Sequence, residues 1–277
     1  MNYQRFSLLS TESTNTYLRQ LRPMPEDPIT LVTTEYQTAG RGQRGNSWES
    51  EAGSNLLYSL LVHPTTLRPS QMFSLSEVAA LSVCQSLNEI LAAEREQEGM
   101  DSCKSHPSAQ SFCVKWPNDI YYGDSKVAGM LIETDLMGSR IANAIIGVGV
   151  NLNQRRFLSN APNPISLCHI TGHDTSPQLV MDTIMKHFTR LYAQLEAGQL
   201  DDLHQDFMQH LYRREGFHPY QDASGPFRAR IVGVELTGHL ILEDTEGRTR
   251  RYAFKEVTFC HTPKADTGTT TTPSSLV

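Results

Sequence analysis

No apolar run in this sequence approaches the roughly 18 residues of a membrane span, and its start lacks a charged-then-apolar leader. There is no Cys-x-x-Cys pair. The five cysteines (Cys84, Cys103, Cys113, Cys168 and Cys260) are odd in number and dispersed, which fits free thiols in a reducing cytosol better than a disulfide framework or a zinc site. Positive charge is not in excess: a net charge of −6 and a pI of about 5.9 argue against a nucleic-acid binder, because neutralising phosphates needs a basic surface. His169 and His173 have a helical ligand spacing, but Gly172 between them and a loop-like context make them surface residues rather than metal ligands. No Gly-x-x-x-x-Gly-Lys-Ser/Thr loop and no protein-kinase signature set occurs, so any nucleotide must be held by side-chain cations and magnesium.

What is present is ordinary in bulk and unusual in detail. The 277 residues allow one large domain and a small one, and 39% hydrophobic against 19% charged residues is the balance of a globular chain with a real core. The informative stretch is Lys115-Trp-Pro-Asn-Asp119-Ile-Tyr-Tyr-Gly-Asp-Ser-Lys126-Val-Ala-Gly129. Pro117 fixes its own φ and biases Trp116 toward an extended conformation, breaking the strand that reaches Lys115. Ile120 to Tyr122 reads as a short strand, Gly123-Asp124 as a turn, and Lys126 to Leu136 as the returning strand. Such a hairpin holds Asn118, Asp119 and Lys126 at neighbouring points on rigid backbone, an arrangement suited to phosphate or carboxylate oxygens.

Upstream, Arg5 to Leu9 alternates weakly as a strand, and Ser10-Thr-Glu-Ser13-Thr14-Asn15 precedes a helical pattern at Tyr17, Leu18 and Leu21. Capping explains one or two of these hydroxyls; the surplus suits a polar ligand. Ile29 to Tyr36 is a strand running into Gln37-Thr-Ala-Gly40-Arg41-Gly42-Gln43-Arg44-Gly45-Asn-Ser-Trp48. The glycine spacing imitates a dinucleotide fingerprint, but a second strand, Asn55 to His63, follows where a helix is required. Glycines allow close backbone approach, and Arg41 and Arg44 bring charge, as expected of a lid over an anionic ligand. Ser70 to Ala93 reads as a buried helix, Glu94 to Ser111 as a surface insertion, and Ile141 to Val150 as a strand ending Gly147-Val-Gly149-Val-Asn151. Two amphipathic helices follow, near Val180 to Leu195 and Leu200 to Leu211. From about Phe217 short strands at Phe227–Val234, His239–Glu243 and Arg248–Phe254 suggest a compact barrel.

Lys115-Trp-Pro-Asn-Asp119 followed by Lys126-Val-Ala-Gly129 and a strand to Glu133, with the Gly-Arg-Gly loop and Ser13-Thr14-Asn15 in the same order, resembles the signature of biotin protein ligases. The resemblance implies an α+β fold. A mixed sheet flanked by helices, the class II synthetase-like catalytic domain, spans residues 1–216. An SH3-like β-barrel spans 217–262, and 263–277 form a disordered tail. It implies formation of biotinyl-5'-AMP from biotin and ATP with Mg2+, then transfer to a lysine of a biotin carboxyl carrier protein. Lys126, Arg41 and Asp119 take the catalytic places, with Lys126 between carboxylate and α-phosphate and Arg41 on the opposing loop. Ser13, Thr14, Asn15, Gln37, Arg41, Gly42, Gln43, Lys126 and Gly129 take the biotin places; Arg44, Trp48, Lys115, Asn118 and Asn151 take those for the nucleotide. One departure stands out: the family commonly has arginine where this chain has Gln43, and whether Arg44 substitutes in retaining the intermediate is left open. A lipoate ligase shares fold and chemistry, but the Gly-Arg-Gly loop and the barrel favour biotin. The catalytic portion starts almost at once, leaving no room for a DNA-binding helix-turn-helix. Neither DNA nor a membrane is expected as a partner, and dimerisation through the sheet is left open.

Overall fold

The computed structural model describes residues 3–21, 27–97, 110–158 and 163–260. Pro23, Pro25, Cys103 and the 263–277 tail lie outside this set, as does most of the expected surface insertion.

Strand β1 (Gln4–Thr11), helix α1 (Thr14–Gln20) and strand β2 (Ile29–Gln37) open the chain. Strand β3 (Leu56–Val62) leads to the long helix α2 (Phe73–Gln97). The motif-bearing strands are β4 (Phe112–Lys115), β5 (Asp119–Tyr122), β6 (Ser125–Met137) and β7 (Arg140–Val150). Helices α3 (Leu167–Thr171), α4 (Pro177–Glu196) and α5 (Leu200–Gln209) complete the first part. The seven strands form one sheet in the order β1-β2-β3-β7-β6-β5-β4, with β1 and β2 parallel and the other pairs antiparallel.

Side-chain alternation along the strands explains how the sheet serves two purposes. On β3, Leu56, Tyr58, Leu60 and Val62 face the α2–α4 layer, as do Ala144, Ile146, Val148 and Val150 of β7 and Ala128 and Met130 of β6; these belong to the main core. The intervening residues turn the other way. Leu61 and Ile145 join Leu18 of α1 and Val32 in a second, smaller core. Beyond that patch this face carries Ser59, Gly147, Gly149, Gly129 and Glu133, a floor of small and polar positions in register across three strands. Because β3 is covered on both faces, every residue in it is buried, Ser59 included.

A second sheet contains β8 (His218–Asp222), β9 (Gly225–Val234), β10 (Leu240–Asp244), β11 (Thr249–Tyr252) and β12 (Thr258–Phe259), all antiparallel in the order β11-β10-β9-β8-β12. Three of these strands match the expectation; β8 and β12 are additional, and β11 and β12 are edges, so this is a five-stranded sheet in which barrel closure is not seen among the described residues. It docks on the first part through Trp116. The buried Trp116 indole donates from Nε1 to the Gly238 carbonyl at 3.0 Å and meets Phe254 edge-on, while Gly238 lies so close to Phe73 that a Cβ there would sit 2.8 Å from its ring.

Candidate active site

The site is the floor of Gly129, Gly147 and Gly149 together with what lies on it. A Cβ at Gly147 would come within 2.2 Å of Asn15 Oδ1, one at Gly149 within 2.3 Å of the Trp48 indole, and one at Gly129 within 2.9 Å of Lys126 Nζ and 3.0 Å of Trp48. Ordinary carbon contacts are ~3.5–4 Å, so each glycine is required for its neighbour to lie flat. The glycines are therefore a surface for other groups, beyond the close strand packing that the sequence alone would explain.

At one end α1 delivers the hydroxyl-amide triplet. Ser13 is the N-cap, but its side chain makes no capping bond, so capping does not account for it. Gln37 Oε1 accepts from the Thr14 backbone N–H at 2.8 Å and from its hydroxyl at 3.2 Å. Ser59 Oγ lies 2.6 Å from both Thr14 Oγ1 and Asn15 Oδ1. Asn15 Nδ2 donates to Glu133 Oε2 at 2.8 Å and to the Leu131 carbonyl at 3.3 Å. Ser13, Thr14 and Asn15 are all buried, so these bonds are strongly held.

At the other end Lys126 and Asp119 form an ion pair at 2.8 Å, each about 30% exposed, which orients the ammonium over the floor beside the Trp48 ring. The backbone around Lys126 is strapped by residues 163–165: Lys126 N–H donates to the Asn163 carbonyl and Ile165 N–H to the Lys126 carbonyl. Asn151 secures that strap. Its Nδ2 donates to the Ile165 carbonyl at 3.3 Å and its side chain is buried. Lys115 lies on β4, paired with Asp119 of β5, donates to the Tyr121 hydroxyl at 2.9 Å and sits over the Tyr121 and Phe259 rings. Burial pulls its pKa below the usual lysine value, and the nearby Asp119 partly opposes that.

Between the two ends lies the loop linking β2 and β3. It closes on itself through Gly42 N–H to the Asn46 carbonyl at 2.6 Å and Trp48 N–H to the Gly40 carbonyl at 2.9 Å. Three contacts hold it to the floor. Trp48 rests on the glycines with Nε1 buried and without a hydrogen-bond partner. Gln43 Nε2 donates to the buried Asn118 Oδ1 at 3.0 Å and to the Met130 carbonyl at 3.2 Å. Arg41 pairs with Glu133 at 3.0 Å. Arg44 lies in a short 3-10 turn, and its side chain falls outside the described set.

All the predicted residues with described side chains lie on or beside this one sheet face, Asn151 next to the strap that holds Lys126. The arrangement differs in one respect from an arginine and a lysine meeting at a single point: Arg41 is held at the Asn15 end and Lys126 at the Asp119 end. The four residue steps from Gly129 to Glu133 put about 13 Å of strand between the two ends. Sequence reasoning left out Ser59 and the role of Glu133. A signal existed for Ser59, the lone polar residue in Leu56-Leu-Tyr-Ser-Leu-Leu-Val62.

The family model of the biotin/lipoate A/B protein ligase family matches residues 8–151, which contain the whole floor and loop. The biotin–[acetyl-CoA-carboxylase] ligase of Paracoccus denitrificans is 29% identical over 247 residues, covering 87% of this chain and 95% of that protein. The bifunctional ligase/repressor BirA of Escherichia coli is 33% identical over 187 residues; the match covers 67% of this chain but only 47% of the length of that relative. The biotin protein ligase from Aquifex aeolicus, solved in complex with biotin and ATP, shares the fold at a TM-score of 0.69 and 23% identity, covering 92% of this chain and 97% of that one.

Proposed function

The chain belongs to the biotin/lipoate A/B protein ligase family, and from that premise we propose that it is an ATP-dependent biotin–protein ligase. It activates biotin as biotinyl-5'-AMP and transfers the biotinyl group to a lysine of a biotin carboxyl carrier protein. The observation that carries this reading is one sheet face bearing a donor-acceptor cluster at Thr14, Asn15 and Ser59, a glycine floor, and an oriented ammonium at Lys126. A ureido ring has one carbonyl and two N–H groups, which the cluster matches. Its acid tail then runs along the floor toward Lys126. Carboxylate and α-phosphate are both anions, and Lys126 relieves their repulsion as they are brought together. Trp48 supplies a flat apolar face for the adenine, and Asn118, Lys115 and Arg44 border the nucleotide.

Among the described residues no group of three or more His, Cys, Asp or Glu side chains is placed to hold a metal ion. Magnesium that is carried mainly by nucleotide phosphates needs only one or two protein carboxylates, and Asp119 fits that place. When bound, the ion neutralises phosphate charge. No described helix is long and apolar enough to cross a membrane, and Cys84, Cys113, Cys168 and Cys260 are free thiols, which supports a cytoplasmic setting. Residues 1–216 provide the catalytic portion and 217–262 a separate C-terminal unit.

The test is incubation of the pure protein with biotin, α-labelled ATP and a biotin carrier domain. Labelled AMP release and carrier biotinylation that both require biotin support the reading; activity with lipoate in place of biotin refutes it.

A further inference from the structure

Of the β6 positions on the floor, Gly129, Leu131 and Glu133, only the last is charged, and it points onto the site rather than into solvent. One oxygen, Oε2, accepts from Asn15 Nδ2 at 2.8 Å and from Arg41 Nη2 at 3.0 Å. The other, Oε1, lies 3.4 Å from Arg41 Nη1 and 3.5 Å from Arg19 Nη2. An asparagine amide has two faces of nearly equal shape and opposite hydrogen-bonding sense. A carboxylate only accepts, and so does the Leu131 carbonyl on the same side. Together they force the Asn15 NH2 group toward β6 and its carbonyl oxygen toward Ser59, above Gly147.

We propose that Glu133 is a positioning residue that determines specificity for the cyclic urea of biotin: it fixes the orientation of the Asn15 amide and tethers Arg41 of the lid above it. This rests on the biotin-ligase reading. With Asn15 locked, the Thr14–Asn15–Ser59 array presents a single pattern of donors and acceptors. A flipped amide would set its oxygen against the Glu133 and Leu131 acceptors and its NH2 against a ureido N–H, the latter a cost that a ligand without hydrogen-bonding groups in its ring would not feel. Glu133 touches neither reacting atom, since the reaction takes place at the Lys126 end.

Two variants separate the two parts of this role in biotin-dependent pyrophosphate–ATP exchange. Glu133→Ala removes both the acceptor and the charge. It should raise the KM for biotin roughly ten- to a hundredfold, the scale of a lost charged hydrogen bond, while kcat and the KM for ATP stay within about threefold. Glu133→Gln restores a neutral acceptor for Asn15 but no charge for Arg41. It should recover most of the biotin KM, to within a few-fold of wild type, while trypsin cuts the 41–44 stretch faster than in wild type. A biotin KM within twofold of wild type in a Glu133→Ala protein that melts cooperatively overturns the assignment, as does a loss confined to kcat. If Glu133→Ala does not fold, Glu133→Gln decides alone: tryptic cleavage at the wild-type rate overturns it, as does a biotin KM raised tenfold or more. Wild-type protein without biotin-dependent exchange removes the functional reading and this inference with it; an active wild type beside an unaffected variant removes the inference alone.

Discussion

Adding one methyl group at each of two glycines should damage two different substrates. A Cβ at Gly149 would lie 2.3 Å from Trp48 Cε2 and 2.6 Å from its Nε1, so the indole must withdraw by roughly 1 Å or more to reach ordinary contact. The strand itself need not move, because Trp48 sits on a surface loop and the backbone pairing of Gly149 with Leu57 and Gly129 is unaffected by a side chain normal to the sheet. Overpacking of this kind costs about 1–3 kcal/mol, and a misplacement of about 1 Å near reacting groups costs up to on the order of a hundredfold in rate. Gly149→Ala should therefore raise the KM for ATP about ten- to a hundredfold and leave the KM for biotin within about threefold. Gly147→Ala meets Asn15 Oδ1 at 2.2 Å instead, and should reverse that preference. Steady-state exchange assays varying each substrate separately read both effects, and the unfolding midpoint checks that each protein is intact. If both variants raise the same KM, or neither raises any, the floor does not divide into a biotin end and a nucleotide end and the site assignment is wrong.

Three further outcomes are expected. Lys126→Ala should slow pyrophosphate–ATP exchange by on the order of 100- to 1000-fold, the scale of one lost oxyanion donor; an unchanged rate would remove Lys126 from the chemistry. Arg41→Ala breaks the Glu133 tether of the lid, so adenylate should escape and label added bystander proteins, which a blot for biotin detects; tight retention would refute the lid. His204 Nδ1 lies 2.6 Å from the fully buried Glu77, and that hydrogen bond raises the histidine pKa above 6.5 despite partial burial, with Asp201 adding to the effect. A pKa raised in the folded state gives stability that is complete below about 6.5 and fades as pH climbs through the folded value. The urea midpoint should fall across that window in wild type and stay flatter in His204→Gln.

Local rules make much of this molecule legible in its amino-acid order. Alternation in the β3, β6 and β7 stretches, the Gly123-Asp124 turn and the helical spacing of α2 and α4 all depend on residues a few positions apart. The strands lie close to where the pattern sets them. The same alternation puts Gly129, Gly147 and Gly149 on one face, and the residues that resemble a biotin ligase signature gather around it. What local rules do not supply is the choice of partner across the sequence. Glu133 meets Arg41 from 92 residues away, and Trp116, sitting between two motif residues, anchors the second sheet through Gly238, 122 residues on. Asn151 reaches the Ile165 carbonyl, and through it the strap beside Lys126, from 14 residues away. Sequence alone determined the strands, the turns and the faces of the sheet, because these follow from backbone geometry within a few residues. Only the tertiary structure decided which carboxylate neutralises which cation, because such pairs form between segments that meet only once the sheet has assembled and excluded water from their neighbourhood.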